Sequence, residues 1–363
     1  MLYYKDTSEL KGTHNCILAY RFAELVRKIW NSKNFKGHVS PHEVLQAVSL
    51  ASEKRFAIGT QKDPLIFVAW FFNAMSDGFR KNHMRINHGK KVNPIGKTII
   101  EDTFQGEVEI STLKPKEGNT GTSKVHRAID VQYEMAEDTK KFLFLSLDLP
   151  PMPIFKDSSE KLTIPQISLL ALLKKFDGKS FVEEKGSTTR KRMKIKKLPK
   201  YLVFHIKRFS KNQFFNEKNH TIIQIPLNLL DMRPYIENDT ISENTRNPYR
   251  YMLVSNIKHN GNANEGNYVA QVRYRPEDDV WYEIQDLYVN KVMPQQVAIS
   301  ESYILVYEQL PPSDEEIKEV DHLADERGNF TEVPLVSHSN GNDDPVVKDE
   351  NEQDDGEERI VFN

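Results

Sequence analysis

The sequence predicts an α+β fold in which helices come first and mainly antiparallel strands follow. Helix-periodic apolar spacing dominates the amino-terminal part, to near Met75. From Gly106 to Glu308, apolar residues instead fall in short β-branched and aromatic runs separated by Gly, Pro and Asn. Segregated helices and strands argue against the alternation of a parallel α/β sheet.

Asn15 to Trp30 reads as the first helix. Ile17, Leu18, Phe22, Leu25, Val26 and Ile29 share one side, with Arg21, Glu24 and Lys28 between them. Ser40-Pro41-His42-Glu43 marks a second start, with Ser40 as cap, Pro41 at the first helical position and Glu43 in the first turn; Val44 to Ala51 continues it. Asp63-Pro64 opens a third helix carrying Phe67, Trp70, Phe71 and Met75, whose broad apolar side implies deep burial. Arg80 to Lys97 is basic and polar and reads as a loop. His83 and His88 within it have no third ligand nearby, so a solvated loop is preferred to a metal site. Strands are expected at Gly106–Ser111, Phe142–Leu147, Leu198–Ile206, Thr221–Ile225, Tyr251–Ile257, Tyr268–Tyr274, Val280–Ile284 and Ser302–Glu308. One amphipathic helix, Ile167 to Phe176, interrupts them.

The 363 residues include 38% hydrophobic positions, enough for a substantial core, although the mean hydropathy is −0.60. No run of 18 apolar residues suggests a membrane span, and Met1 to Asp6 is not the start of a signal peptide. A single cysteine, Cys16, excludes an internal disulfide and any cysteine-rich zinc site, and fits a reducing compartment. Charge is divided unevenly. Residues 311–363 carry seventeen Asp/Glu against four Lys/Arg, a balance of −13, which leaves 1–310 at +11 against the overall −2. The acidic segment is too poor in apolar residues to offset ordering and reads as a disordered tail, apart from a short helix at Ile317–Ala324. The organisation expected is a flexible start (1–14), one domain (15–310) and the acidic tail (311–363).

The stretch Tyr251 to Val289 is the most specific. A hydrophobic strand ends in His259 and Gly261; then come Gly266-Asn267-Tyr268, a second strand, and Trp281-Tyr282 leading to Asp286. Upstream lie His38-Val39-Ser40-Pro41, Gln61-Lys62-Asp63, Phe104-Gln105-Gly106 and the run Leu198-Pro199-Lys200-Tyr201-Leu202-Val203-Phe204-His205-Ile206-Lys207-Arg208-Phe209. In that order, these motifs resemble the ubiquitin-specific proteases over about residues 15–310. The resemblance implies a papain-like cysteine-peptidase fold, with a helical part followed by palm and fingers strands.

In that family the residue between the Gly and the Tyr is the histidine general base, and the position of Asp286 is the carboxylate that orients it. Here the base position is Asn267, and a carboxamide has no lone pair that titrates near neutral pH. His259 precedes the turn, where the family carries a non-catalytic histidine, and a structural role is preferred to that of substitute base. Cys16 follows Gly12-Thr13-His14-Asn15, a faint echo of the family's cysteine box. It lies too close to Ser40-Pro41 to match the family nucleophile, and its apolar neighbours suit a buried thiol; a nucleophile at Cys16 remains the rival reading. The chain therefore looks amino-terminally truncated, starting after the box. The family's zinc-ribbon cysteines and upstream zinc finger have no counterpart in it, so no cofactor or metal is expected.

Lys211-Asn212-Gln213-Phe214-Phe215-Asn216-Glu217-Lys218-Asn219 and Val39-Ser40-Pro41-His42-Glu43 are similar to the family's protease-like branch found in the spliceosomal tri-snRNP. That branch implies a non-catalytic scaffold in pre-mRNA splicing, a nuclear location, tri-snRNP proteins as partners, ubiquitin as a further partner class, only indirect or nonspecific RNA contact, and no membrane. The alternatives are a thiol-dependent deubiquitinase and a passive ubiquitin-binding module. The run Arg190-Lys191-Arg192-Met193-Lys194-Ile195-Lys196-Lys197 is open to two functional readings, nuclear import signal or phosphate contact, and to a plainer one, a solvated edge leading into the Leu198 strand.

Overall fold

The computed structural model of the chain describes residues 13–31, 33, 38–86, 96–115, 133–151, 164–183, 189–211, 216–236, 249–274 and 279–311. The expected flexible start up to residue 12, the acidic segment beyond 311 and the His83 and His88 side chains lie outside them.

Four helices form one layer: α1 (His14–Ile29), α2 (His42–Ala51), α3 (Pro64–Ile86) and α4 (Ile99–Phe104). Their apolar faces meet in a core of their own, built on Leu18, Val44, Val48, Phe56, Ala74 and Met75. The start of α1 presses against α3 at Gly78, where a Cβ would lie 2.5 Å from the Asn15 carbonyl oxygen; only glycine permits that approach. Of the residues expected to be deep in α3, Phe67, Trp70 and Phe71 are half-buried, and Met75 is buried. Helix α2 starts one residue later than expected. Pro41 is its cap, and the Ser40 hydroxyl accepts the His42 N–H at 3.4 Å. Helix α3 extends to Ile86, so the first part of the segment expected to be loop, Arg80 onward, is helical, and Arg80 pairs with Glu101 of α4. Thr98 and Glu101 form a capping box that starts α4.

Two larger sheets follow. The first runs in the order β2 (Tyr133–Phe142), β1 (Gly106–Pro115), β6 (Arg190–Lys197), β5 (Asp177–Glu183), all antiparallel. The second has eight strands. Its main path is β15 (Tyr288–Val292), β14 (Trp281–Gln285), β13 (Gly266–Arg273), β12 (Arg250–Gly261), β17 (Ser302–Gln309), β7 (Tyr201–Lys207), β3 (Leu145–Asp148), with β11 (Leu230–Asp231) on the start of β12. Only the β3–β7 pair of this sheet is parallel. Small pieces complete the fold: β4 (Gln166–Ser168), β10 (Ile222–Gln224) and β16 (Ile299–Ser300) pair together, β8 (Phe209–Lys211) pairs β9 (Asn216–Lys218), and α5 (Leu169–Leu173) and α6 (Pro294–Ala298) are single turns. Leu147, Leu173, Ile195, Phe204, Leu253, Trp281 and Tyr307 anchor the main core under both sheets.

Several expectations are corrected. The segment Phe142–Leu147 is not one strand; it breaks at Leu143-Phe144, which carries the chain from one sheet to the other. Ile167–Phe176 supplies only the five residues of α5 and a 3-10 turn, because Gln166–Ser168 is drawn into parallel pairing with β10. The strand expected at Gly106–Ser111 runs on as β1 to Pro115, with Lys114 and Pro115 paired with Glu134 and Tyr133. The basic run is not a sheet edge. It is β6, a central strand flanked by β1 and β5, with Ile195 fully buried beneath it.

Candidate functional site

The diagnostic motifs converge on the hairpin between β12 and β13. Its register sets His259 opposite Tyr268, Asn260 opposite Asn267, and Gly261 opposite Gly266. Gly261 adopts φ 106°, a conformation that L side chains rarely adopt. Gly266 is required for a different reason: a Cβ there would meet the Asn260 carbonyl oxygen at 2.3 Å and the His259 ring at 2.5 Å.

His259 is a packing residue. Its ring is buried edge-on between Phe209 and Tyr268, and Nδ1 has no hydrogen-bond partner among the described residues. Burial, reinforced by the Lys218 ammonium, holds its pKa below the ordinary histidine value, so the imidazole stays neutral.

Lys218 fixes the hairpin from below. Its buried ammonium donates to the carbonyls of His259 (2.8 Å) and Gly261 (2.9 Å) and pairs with Glu301 at 2.6 Å. Burial alone would raise the Glu301 pKa, but Lys218, together with His220, holds it below the usual carboxylate range. Arg208, of the Arg-Phe motif, acts alike for the neighbouring strands. Its buried guanidinium donates to the Ser302, Asn219 and Thr221 carbonyls, and burial lowers its pKa to about 10.

The helical layer reaches this hairpin through the loop before α3. Gln61 donates to the Gly266 carbonyl at 2.9 Å, and Asp63 accepts from the Tyr303 hydroxyl at 2.8 Å while capping the Leu65 N–H. Between loop and sheet lies a cleft of about 910 Å³ whose walls include Asp63, His205, Phe209, Glu265, Tyr268 and Tyr303. Burial and the Asp63 carboxylate push the Tyr268 phenol up to about 12, and burial drives His205 down to about 4. Both are neutral near pH 7, and the ionisable side chains left on the walls are Lys62, Asp63, Lys207, Arg208 and Glu265.

The three residues singled out for chemistry are not assembled into one site. Asn267 is half-buried on β13, beside the cleft. Asp286 is exposed in the two-residue turn between β14 and β15, with φ 51°, and its carboxylate bonds to no described residue. Gln271 pairs with Glu283, so strand alternation places Gln285, not Asp286, on the face that carries Asn267. Cys16 is buried where α1 meets α3. Its sulfur lies 3.4 Å from the Thr13 hydroxyl and 3.5 Å from the Gly78 carbonyl oxygen. Among the described residues no three His, Cys, Asp or Glu side chains are grouped to hold a metal ion. The first sheet, where a ribbon of paired cysteines would lie in the family, contains no cysteine; it is held by its strand ladders and by Val108 and Ile195.

Sequence reading missed Lys218, Glu301 and the cleft-facing roles of Gln61, Asp63 and Tyr303. Their partners lie from 41 to 240 positions away in the chain, beyond any periodic signal. The basic strand β6 is laddered on both sides, and Lys196 pairs with Glu109.

A helical layer set against an antiparallel palm, with a cleft at the hairpin between them, defines an α+β papain-like fold of the ubiquitin-specific protease type. The sequence profile described as "Ubiquitin carboxyl-terminal hydrolase" matches residues 1–307, and the chain belongs to that family. It is 40% identical over 311 residues to human "Ubiquitin carboxyl-terminal hydrolase 39", covering 84% of this chain and 52% of that one. It is 38% identical over 307 residues to "Probable mRNA-splicing protein ubp10" of Schizosaccharomyces pombe, covering 82% and 58%. The chain thus spans about half the length of the curated relatives it matches. Among solved structures, the SAGA Ubp8/Sgf11/Sus1/Sgf73 DUB module bound to ubiquitin aldehyde matches with a TM-score of 0.58 at 20% identity, covering 84% of this chain and 62% of that one, which shows the shared fold.

Proposed function

We propose that this chain is a non-catalytic scaffold of the ubiquitin-specific protease family, acting in the nucleus in pre-mRNA splicing, in tri-snRNP assembly or its recruitment to the spliceosome. Residues 15–310 are the folded unit. The observation that carries the reading is the carboxamide of Asn267 in the hairpin where the family places its base. It can hydrogen-bond but cannot accept a proton from a thiol near neutral pH. The engagement of the Cys16 sulfur with Thr13 and Gly78, rather than with an imidazole, supports the same conclusion. The splicing assignment is supported by the relative named as an mRNA-splicing protein.

Two experiments test it. The purified chain releases no fluorophore from a ubiquitin–fluorophore substrate and is not labelled by a thiol-reactive ubiquitin probe. Turnover or labelling that disappears in Cys16→Ser would make it a deubiquitinase instead. The tagged chain, incubated in nuclear extract, retains tri-snRNP proteins; their absence from the captured material would remove the splicing role. A ubiquitin-binding reading is favoured by one feature, the formed cleft with Asp63 on its wall. Saturable binding of labelled ubiquitin that weakens in Asp63→Asn would support it.

A further inference from the structure

Strand β15 is an edge of the eight-stranded sheet and, among the described residues, pairs only with β14. Every residue from Gln285 to Lys291 is exposed, on both faces of the strand. Leu287, Tyr288 and Val289 are 92%, 74% and 57% exposed. Natural edge strands are ordinarily protected by charge, proline, a bulge or a covering segment. Here Lys291 is the only charged residue of the strand.

The free edge has a defined polarity. Gln285 and Tyr288 close a two-residue turn, so the main-chain groups of Tyr288, Asn290 and Val292 face β14. Those of Val289 and Lys291 face outward. Two charges frame the apolar stretch: Asp286 in the turn before it and Lys291 after it. Neither side chain bonds to a described residue.

We infer that a second copy of this chain covers the edge, β15 lying antiparallel to β15 about a two-fold axis at Val289, so that the two eight-stranded sheets join into one. The strand is complementary to itself, and its charges select the register. An axis at Lys291 would set two ammonium groups directly opposite each other. An axis at Asn290 would set them on the diagonal, about 7–8 Å apart, and like charges so placed are destabilising. The axis at Val289 separates them by four residues of strand, about 13 Å. It also sets each Lys291 opposite Leu287 of the second copy, next to Asp286, so each free cation meets a free anion. Val289 exchanges main-chain hydrogen bonds with its own counterpart, and the Lys291 stem lies along Leu287. Such a contact is closed and isologous, so it ends at two copies instead of growing into a fibre. It buries on the order of 1,000 Å² in total, the low end for a specific interface, so the pair should form at roughly micromolar concentrations.

The test is sedimentation velocity of the full chain from about 1 to 100 µM. The mass should rise from 42.1 kDa toward twice that value. Val289→Pro removes an outward donor without touching a bond to β14. It costs two main-chain hydrogen bonds per pair and should weaken association at least about ten-fold, with the far-ultraviolet circular dichroism unchanged. Lys291→Glu and Asp286→Lys should each weaken association, and an equimolar mixture of the two should restore it, because opposite charges then meet again across the axis. A mass that stays at one chain at the highest concentration overturns the inference. Association that Val289→Pro leaves unchanged overturns it too, as does a mixture that associates no better than either charge variant alone. The outcome is independent of whether the chain has enzymatic activity or acts in splicing.

Discussion

Replacing Lys218 by Met separates the support of the hairpin from everything else in the cleft. The substitution keeps the aliphatic volume and deletes one buried ammonium. Its hydrogen bonds to the His259 and Gly261 carbonyls and its ion pair with Glu301 all disappear. Removing one member of a buried ion pair costs about 3–5 kcal/mol, and the low end applies because the Glu301 side chain is 27% exposed and keeps His220 beside it. A loss of about 3 kcal/mol corresponds to a fall in Tm of roughly 5 °C for a domain of about 300 residues. The pH dependence is diagnostic. A carboxylate held below its unfolded value contributes stability above that value and loses it as pH falls through the folded pKa. The gap between wild type and Lys218→Met, measured by urea unfolding, is therefore widest near pH 7 and narrows below about pH 4.5 as Glu301 takes up its proton in both proteins. A gap that is constant from pH 7 to pH 4, or smaller than about 1 kcal/mol at pH 7, would refute the account of Lys218 as the ionic support of the turn.

Other outcomes follow from the same geometry. Gly266→Ala should destabilise by about 1–3 kcal/mol through overpacking, read as a lower urea midpoint; combining it with His259→Ala recovers only part, since the Asn260 carbonyl still blocks the Cβ. Arg208→Lys should fail to replace Arg208, because one ammonium cannot span the three carbonyls that the guanidinium reaches; loss of near-ultraviolet circular dichroism and of at least about 2 kcal/mol is expected. Buried neutral His205, with its pKa lowered to about 4, binds fewer protons than in the unfolded chain between there and about 6.5. Stability should consequently decrease as the pH is lowered from about 6.5 to about 4, and His205→Asn should flatten that decrease in a urea series. The Cys16 thiol should react with a disulfide reagent at the rate of local opening in native buffer and immediately in denaturant.

What the sequence disclosed is what repeats at short range. The 3.6-residue pattern located α1 and the start of α3, and short β-branched and aromatic runs located β12, β13 and β17. The pattern Gly-Asn-Tyr identified the hairpin because Gly266 is demanded by the ring of His259 seven residues earlier. What remained hidden depends on long-range pairing. The charges of β6 suggested an exposed edge, since nothing local records that β1 and β5 will close on both sides. The break after Phe142 was invisible because two strands of different sheets meet without an intervening polar residue. Asp286 drew attention as an acidic residue at the right distance, yet sequence spacing cannot say on which side of a two-residue turn a carboxylate emerges.

The helices and the palm each have a main apolar cluster of their own, but the walls of the cleft share a third, in which Leu65 of the helical layer packs with Phe209, Tyr268 and Tyr303 of the palm. Contact between helices and palm includes Gln61 and Asp63, Leu65 and Phe104 seated against Val203 and Tyr303, and Asp102 paired with Lys200. A guest held between these walls would bind the folded chain and not the unfolded one, so it could be detected as a rise in Tm with its concentration even if it undergoes no reaction there.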